Sequence, residues 1–156
     1  MSEDTIGVKG MFRLQIVDAD GTIAGDSGWH ENQVVNLGFN QYLVSTLGGI
    51  AGSKVITHAA LGSGGAPAAA DTTLAGEVEV RAAITAATSS ASKTLRCTAT
   101  FASSDSFVTN TQNISNIALA QTSTQGAATI FAGNTYASSS CATNQNVNVT
   151  YDIIFS

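Results

Sequence analysis

The sequence predicts a mainly β chain: an antiparallel β-sandwich or jelly-roll of about eight strands, with one short α-helix near residues 37–47. Three observations carry this. Two segments, 94–101 and 146–155, alternate apolar and polar residues with the period of a half-buried strand. One stretch alone changes to helical spacing. Ala, Ser, Thr and Gly fill about half of the 156 residues, and small residues with Thr suit closely stacked strands and tight turns.

Taken in order, residues 1–10 read as a flexible N-terminal arm and 11–156 as a single β-sandwich domain. In 11–17, Phe12, Leu14 and Ile16 alternate with Arg13 and Gln15, a strand. Asp18-Ala19-Asp20-Gly21 is a hairpin-turn signal, after which a strand returns near 22–24 and continues into 28–35. In 37–47, Phe39, Leu43 and Leu47 lie at i, i+4 and i+8, flanked by Leu37, Tyr42 and Val44, the pattern of a three-turn helix. Asn36 fits its N-cap and Gly48-Gly49 its C-cap. Residues 54–61 read as a buried strand, and 62–77 as a long connection holding the one proline, Pro67. From Val78 the chain is β-like. Leu95, Cys97, Ala99 and Phe101 share one strand face, which puts Cys97 toward the core. Further strands are expected at 113–121 and 127–132. The last, 146–155, sets Val147, Val149, Tyr151, Ile153 and Phe155 on one face.

Composition excludes several functions. Six Lys and Arg against eleven Asp and Glu give a net charge of -5, the wrong sign for displacing counterions from nucleic acid or for holding an anionic membrane. No apolar run reaches the ~18 residues of a membrane-spanning helix. The start, MSEDTIGVKG, has neither a basic nor an apolar region of a signal peptide. Only 11% of residues are charged; so little surface charge does little to keep copies apart, which suits a protein built to associate. Cys97 and Cys141 are too few for a zinc site; buried free thiols are the default in a reducing compartment, and a disulfide between them stays open.

No motif assembles a catalytic, cofactor or metal site. Asp18-x-Asp20-Gly21 lacks the later ligands of a calcium loop, with Thr22 and Trp29 where they would stand. Gly62-Ser63-Gly64-Gly65 lacks the Gly-Lys-Ser/Thr ending of a phosphate cradle. His30 and His58 lie on different elements, with no carboxylate at ligand spacing. Glu77, Glu79 and Arg81 read as one solvated, partly ion-paired strand face. Trp29, the sole tryptophan, reads as a core or interface anchor; a sugar-stacking platform is the alternative. Asn113-Ile114-Ser115 and Asn148-Val149-Thr150 match glycan-acceptor triplets, as chance allows in so Asn-, Ser- and Thr-rich a chain.

Three segments are familiar when taken together: NQVVNLGFNQYLVSTLGG at 32–49, HAALGSGGAPAAADTTLAGEVEVR at 58–81, and the ending NISNIALA, ATIFAG and VNVTYDIIF. The chain resembles a diffuse group of tailed-bacteriophage virion proteins that occur as capsid decoration (cement) proteins and as tail, baseplate or fibre-associated proteins. It departs from the group at Asn116-Ile117-Ala118-Leu119, where an acidic residue and a Gly are usual. The resemblance implies a non-enzymatic virion component without cofactor, assembled in the host cytoplasm. Its partners would be a major capsid protein and copies of itself, as a homotrimer. The candidate contact surface comprises the arm (Glu3, Asp4, Lys9), the turn (Asp18, Asp20), Trp29, and the 62–74 loop (Pro67, Asp71, Leu74). The rival readings are a tail-associated role and a carbohydrate-binding adhesin.

Overall fold

The computed structural model describes residues 6–91 and 93–156, apart from the side chains of residues 86 and 88–91. The chain is mainly β, as expected, but its strands close into a barrel. Among the described residues nine strands form: β1 (Val8–Val17), β2 (Ile23–Asp26), β3 (His30–Val34), β4 (His58–Gly62), β5 (Ala82–Ala91), β6 (Thr94–Phe101), β7 (Gln112–Ala120), β8 (Ile130–Cys141) and β9 (Asn146–Phe155). Eight of them make the ring β1-β3-β8-β7-β4-β5-β6-β9, which the β1–β9 pairing closes; β2 is an extra flap on β1.

The expected sandwich or jelly-roll is therefore incorrect, and two strands account for the difference. β3 pairs with β1 through His30, Glu31 and Asn32, then with β8 through Gln33 and Val34. β5 pairs with β4 through Ala82 and Ala83, then turns to β6 from Ile84 onward, with a register shift just beyond. Each passes from one sheet to the other along its length and joins what would otherwise be two open edges. The joins are only two residue pairs long, too short to leave a periodic mark in the sequence.

Alternation sets the inner face. Phe12, Leu14 and Ile16 of β1 meet Val147, Val149, Tyr151 and Ile153 of β9 and Cys97, Ala99 and Phe101 of β6 in one buried cluster. β4 and β7 are buried on both faces instead. Leu61, Ile117 and Leu119 point inward, while Ala60, Ala118 and Ala120 lie with Val35, Ile130 and Leu74 in a second, outer cluster. The 62–77 connection lies against that outer side: Asn116 Nδ2 donates to Gly65 O and Ala75 O, at 3.0 and 2.9 Å. The N–H groups of Ser63 and Gly64 bond to Gly76 O and Ala75 O. Those amides are spent on the chain's own carbonyls rather than offered to a phosphate.

Element boundaries shift where alternation is weak. β1 begins at Val8 rather than 11, so the last residues assigned to the arm are strand, and Gly7 and Ser156 exchange backbone hydrogen bonds beside it. The 22–35 strand breaks into β2 and β3 around Gly28, whose φ is positive. β8 runs to Cys141 although 133–140 is mostly Gly, Asn, Ala and Ser, because β7 pairs along it. The helix forms where expected but not as an α-helix. Asn36 and Leu37 open the segment in α conformation, Gly38–Val44 has π-type turns, and Ser45–Leu47 (α1) is α again. Ser45 N–H donates to Asn40 O, five residues back. Asn36, expected as the N-cap, is itself helical; Gly49, with φ 61, ends the segment in the left-handed region. Gly38 is required by contact: a Cβ there would lie 2.1 Å from Phe131 O.

Candidate functional site

The segment 38–47 closes one end of the barrel, and its two sides differ. Inward, the Tyr42 ring meets Phe131 edge-on with centroids 5.3 Å apart. Its hydroxyl donates to Thr129 O and accepts from Gln121 N–H. Burial pushes that hydroxyl up to about 12, against the opposing pull of the Gln121 amide and the Arg81 charge. Outward, Phe39, Val44 and Leu47 are exposed, Leu47 at 92%. Of the stripe Phe39, Leu43 and Leu47, only Leu43 packs against the core, and it is partly buried. The wider π turns rotate Tyr42 and Gly38 inward in its place.

Between this segment and the barrel rim runs an apolar groove of about 710 Å³, walled by Val8, Leu43, Phe155 and the exposed Ile6. A cavity of about 260 Å³ adjoins it and shares Tyr42, Leu43, Thr46 and Phe155; its floor includes Cys97, Phe131 and Ile153. Among the described residues, Lys54 is the one charged side chain lining either space. Exposed Val55 lines the cavity, and exposed Ile50 follows the helix.

Beside Tyr42, Arg81 ties the loops at the same end together. Its Nε lies 2.5 Å from Glu77 Oε1 and its Nη2 3.1 Å from Oε2, with both side chains buried. It also donates to Thr129 Oγ1 and to the carbonyls of Gln121, Thr122 and Ala127. Gly126 N–H completes Glu77 at 3.0 Å. The expected solvated strand face is thus a buried, saturated ion pair outside any strand; only Glu79 is exposed.

The sequence-selected surface residues disperse. Glu3 and Asp4 lie outside the described residues. Lys9 pairs with Glu31 at 2.5 Å. Asp18 accepts from Gln145 Nε2 at 2.7 Å, and Asp20 from Thr22 N–H at 2.9 Å. These form a hairpin turn in which Gly21 has φ 88. Trp29 is 44% exposed, with the Arg96 guanidinium 5.9 Å from its ring; that guanidinium is itself held by both Asp152 oxygens. Asp71 caps its own loop by accepting from Ala68 N–H at 2.8 Å. Pro67 and Leu74 are buried, so they anchor the loop and present no contact surface. The site the sequence missed is the apolar end built from Ile6, Phe39, Val44, Leu47, Ile50 and Val55. Its one legible signal is that the helical stretch contains no charged residue, although an exposed helix side normally carries some.

His30 Nε2 bonds with Ser27 O at 2.7 Å and His58 Nδ1 with Thr57 Oγ1 at 2.8 Å. Among the described residues, no three His, Cys, Asp or Glu gather as a metal site. Both cysteines are free and buried, and burial raises each thiol to about 11. Comparison with protein-family models, with curated proteins and with solved structures finds no match to the chain.

Proposed function

We propose that the protein is a structural component of a bacteriophage particle: a capsid decoration protein that holds to the major capsid protein in many copies. The observation that carries the reading is the exposed apolar end. Monomers rarely leave a contiguous apolar patch larger than about 300–600 Å² exposed without a binding role. The virion assignment draws on the phage-like segments at 32–49, 58–81 and the C-terminus. A closed barrel suits this work, because it meets neighbours through its ends and loops and offers few free strand edges for unregulated pairing. On a repeating lattice a modest contact gains strength by multiplicity.

Immunogold labelling of purified virions, with quantitative mass spectrometry of the same particles, tests the proposal. Label spread over the head, at a copy number that scales with the capsid protein, is expected. Label confined to the tail would replace decoration with a tail role. Absence from the particle would end the virion reading.

A further inference from the structure

We propose that the apolar end is occupied by the same face of a second copy of this chain, with Leu47 of one copy seated in the groove beside Leu43 and Phe155 of the next. It rests on the virion reading and deepens it: the apolar end joins copies to one another, and the joined copies meet the lattice together through their remaining surfaces.

Three observations favour a second copy. First, the face combines a projecting side chain, Leu47 at 92% exposure, with an apolar groove of about 710 Å³ that Leu47 itself helps to wall along with Val8, Leu43 and Phe155. A rotation axis through such a face lets each copy give its side chain and receive its neighbour's, closing a ring without leftover surface.

Second, the charges permit it. Among the described residues, no acidic side chain lines the groove or the adjoining cavity, and the segment 38–47 is uncharged. Copies carrying a net charge of -5 each can therefore meet here without opposing described acidic side chains, with Lys54 at the margin of the contact in each. Among the described residues, a strongly charged partner would find only Lys54 to pair with.

Third, the extent is right. Ile6, Phe39, Val44, Leu47, Ile50 and Val55 are each between 42% and 92% exposed. At roughly 150–200 Å² for a fully exposed side chain of this size, they present on the order of 600–700 Å². A stable interface takes about 800 Å² from each partner, so these six with the groove walls between them supply most of one.

Light scattering on the size-exclusion eluate reads the outcome for the full chain. Wild type is expected at a small multiple of 15.8 kDa, and Leu47→Glu at the monomer mass. The variant should keep the wild-type far-UV circular dichroism, because Leu47 supports nothing in its own barrel. Leu47→Met should remain oligomeric, which separates loss of fit from loss of fold. A wild-type protein that is monomeric at micromolar concentration, or a Leu47→Glu variant that still assembles, would overturn the proposal. A monomeric wild type that sediments with undecorated capsids, and loses this with Leu47→Glu, would give the face to the capsid protein: the inference would fail while the virion reading stood. An oligomer missing from virions would give the reverse.

Discussion

At one end of the barrel, the turn Asp18–Gly21 and its surroundings are polar apart from exposed Ile23, and their polar groups are largely satisfied from within. Asp26 takes both nitrogens of the Arg13 fork and the Gly28 N–H, Gln145 reaches Asp18, and Asn146 accepts from Ser103 N–H. At the other end, polar groups are as well satisfied but lie underneath. Arg81, Glu77 and the Tyr42 hydroxyl bond one another's loops below an apolar outer layer. The difference teaches where association is to be expected. An end whose exposed polar groups already have partners offers little new bonding to a neighbour. An end with exposed Leu47, Val44 and Ile6 gains about 25 cal/mol for every Å² it removes from water.

The largest expected effect breaks the second end from beneath. Arg81→Ala leaves Glu77 buried without its cation and frees four loop acceptors, and should cost about 3–5 kcal/mol in urea unfolding. Glu79→Ala, two residues away and exposed, should stay within about 0.5 kcal/mol.

Acid separates the ends by pH. Hydrogen bonds from Arg13, Gly28 and Gln15 hold the Asp26 carboxyl well below the usual carboxylate range. A depressed folded-state value means that its contribution is present above the unfolded value near ~3.9 and is lost as pH falls below it. His58, at the other end, is lowered by burial and by the Arg81 charge. The unfolded chain therefore takes its proton first, and stability drops as pH falls through about 6.5. Melting temperature against pH should show both steps. Asp26→Asn should shrink the lower one, to which Asp20, also held low by its hydrogen bond from Thr22, still contributes, and His58→Gln should remove the upper. A single step that survives both substitutions would mean that the ends do not titrate independently.

The smallest effect is kinetic. Cys97 floors the cavity that opens toward the apolar end, whereas Cys141, opposite Gln112, lies at the far end of β8. With both thiols raised to about 11, alkylation near neutral pH should be slow in the folded protein. Peptide mass spectrometry over time should find Cys97 modified before Cys141. Equal rates, matching global unfolding, would mean that the cavity gives no access.

Much of the fold was legible because period two is a property of neighbouring residues. β6 and β9 run over the spans their alternation marks, and Cys97 faces the core. Where burial is two-sided, as at Ala118 and Ala120, alternation vanishes and the strand is recognised only by its apolar run. Where pairing alone sustains a strand, as in β8 from Gly133 to Cys141, local residues give almost no signal. The candidate site was hardly legible. Phe39, Leu43 and Leu47 satisfy a helical period, but periodicity names a face without saying which way it turns.

The sequence by itself determined the β character, the place of the helical segment, the hairpin at Asp18–Gly21 and a surface poor in charge, since all of these follow from residues within a few positions of each other. Tertiary structure alone decided that β3 and β5 cross between sheets to close a ring, that Arg81 and Glu77 are buried together, and that the helical segment turns Tyr42 in and Leu47 out. Each of these depends on contacts between residues far apart in the chain, such as Gly38 against Phe131 and Arg81 against Thr129, and no local pattern encodes which distant backbone will arrive to make them.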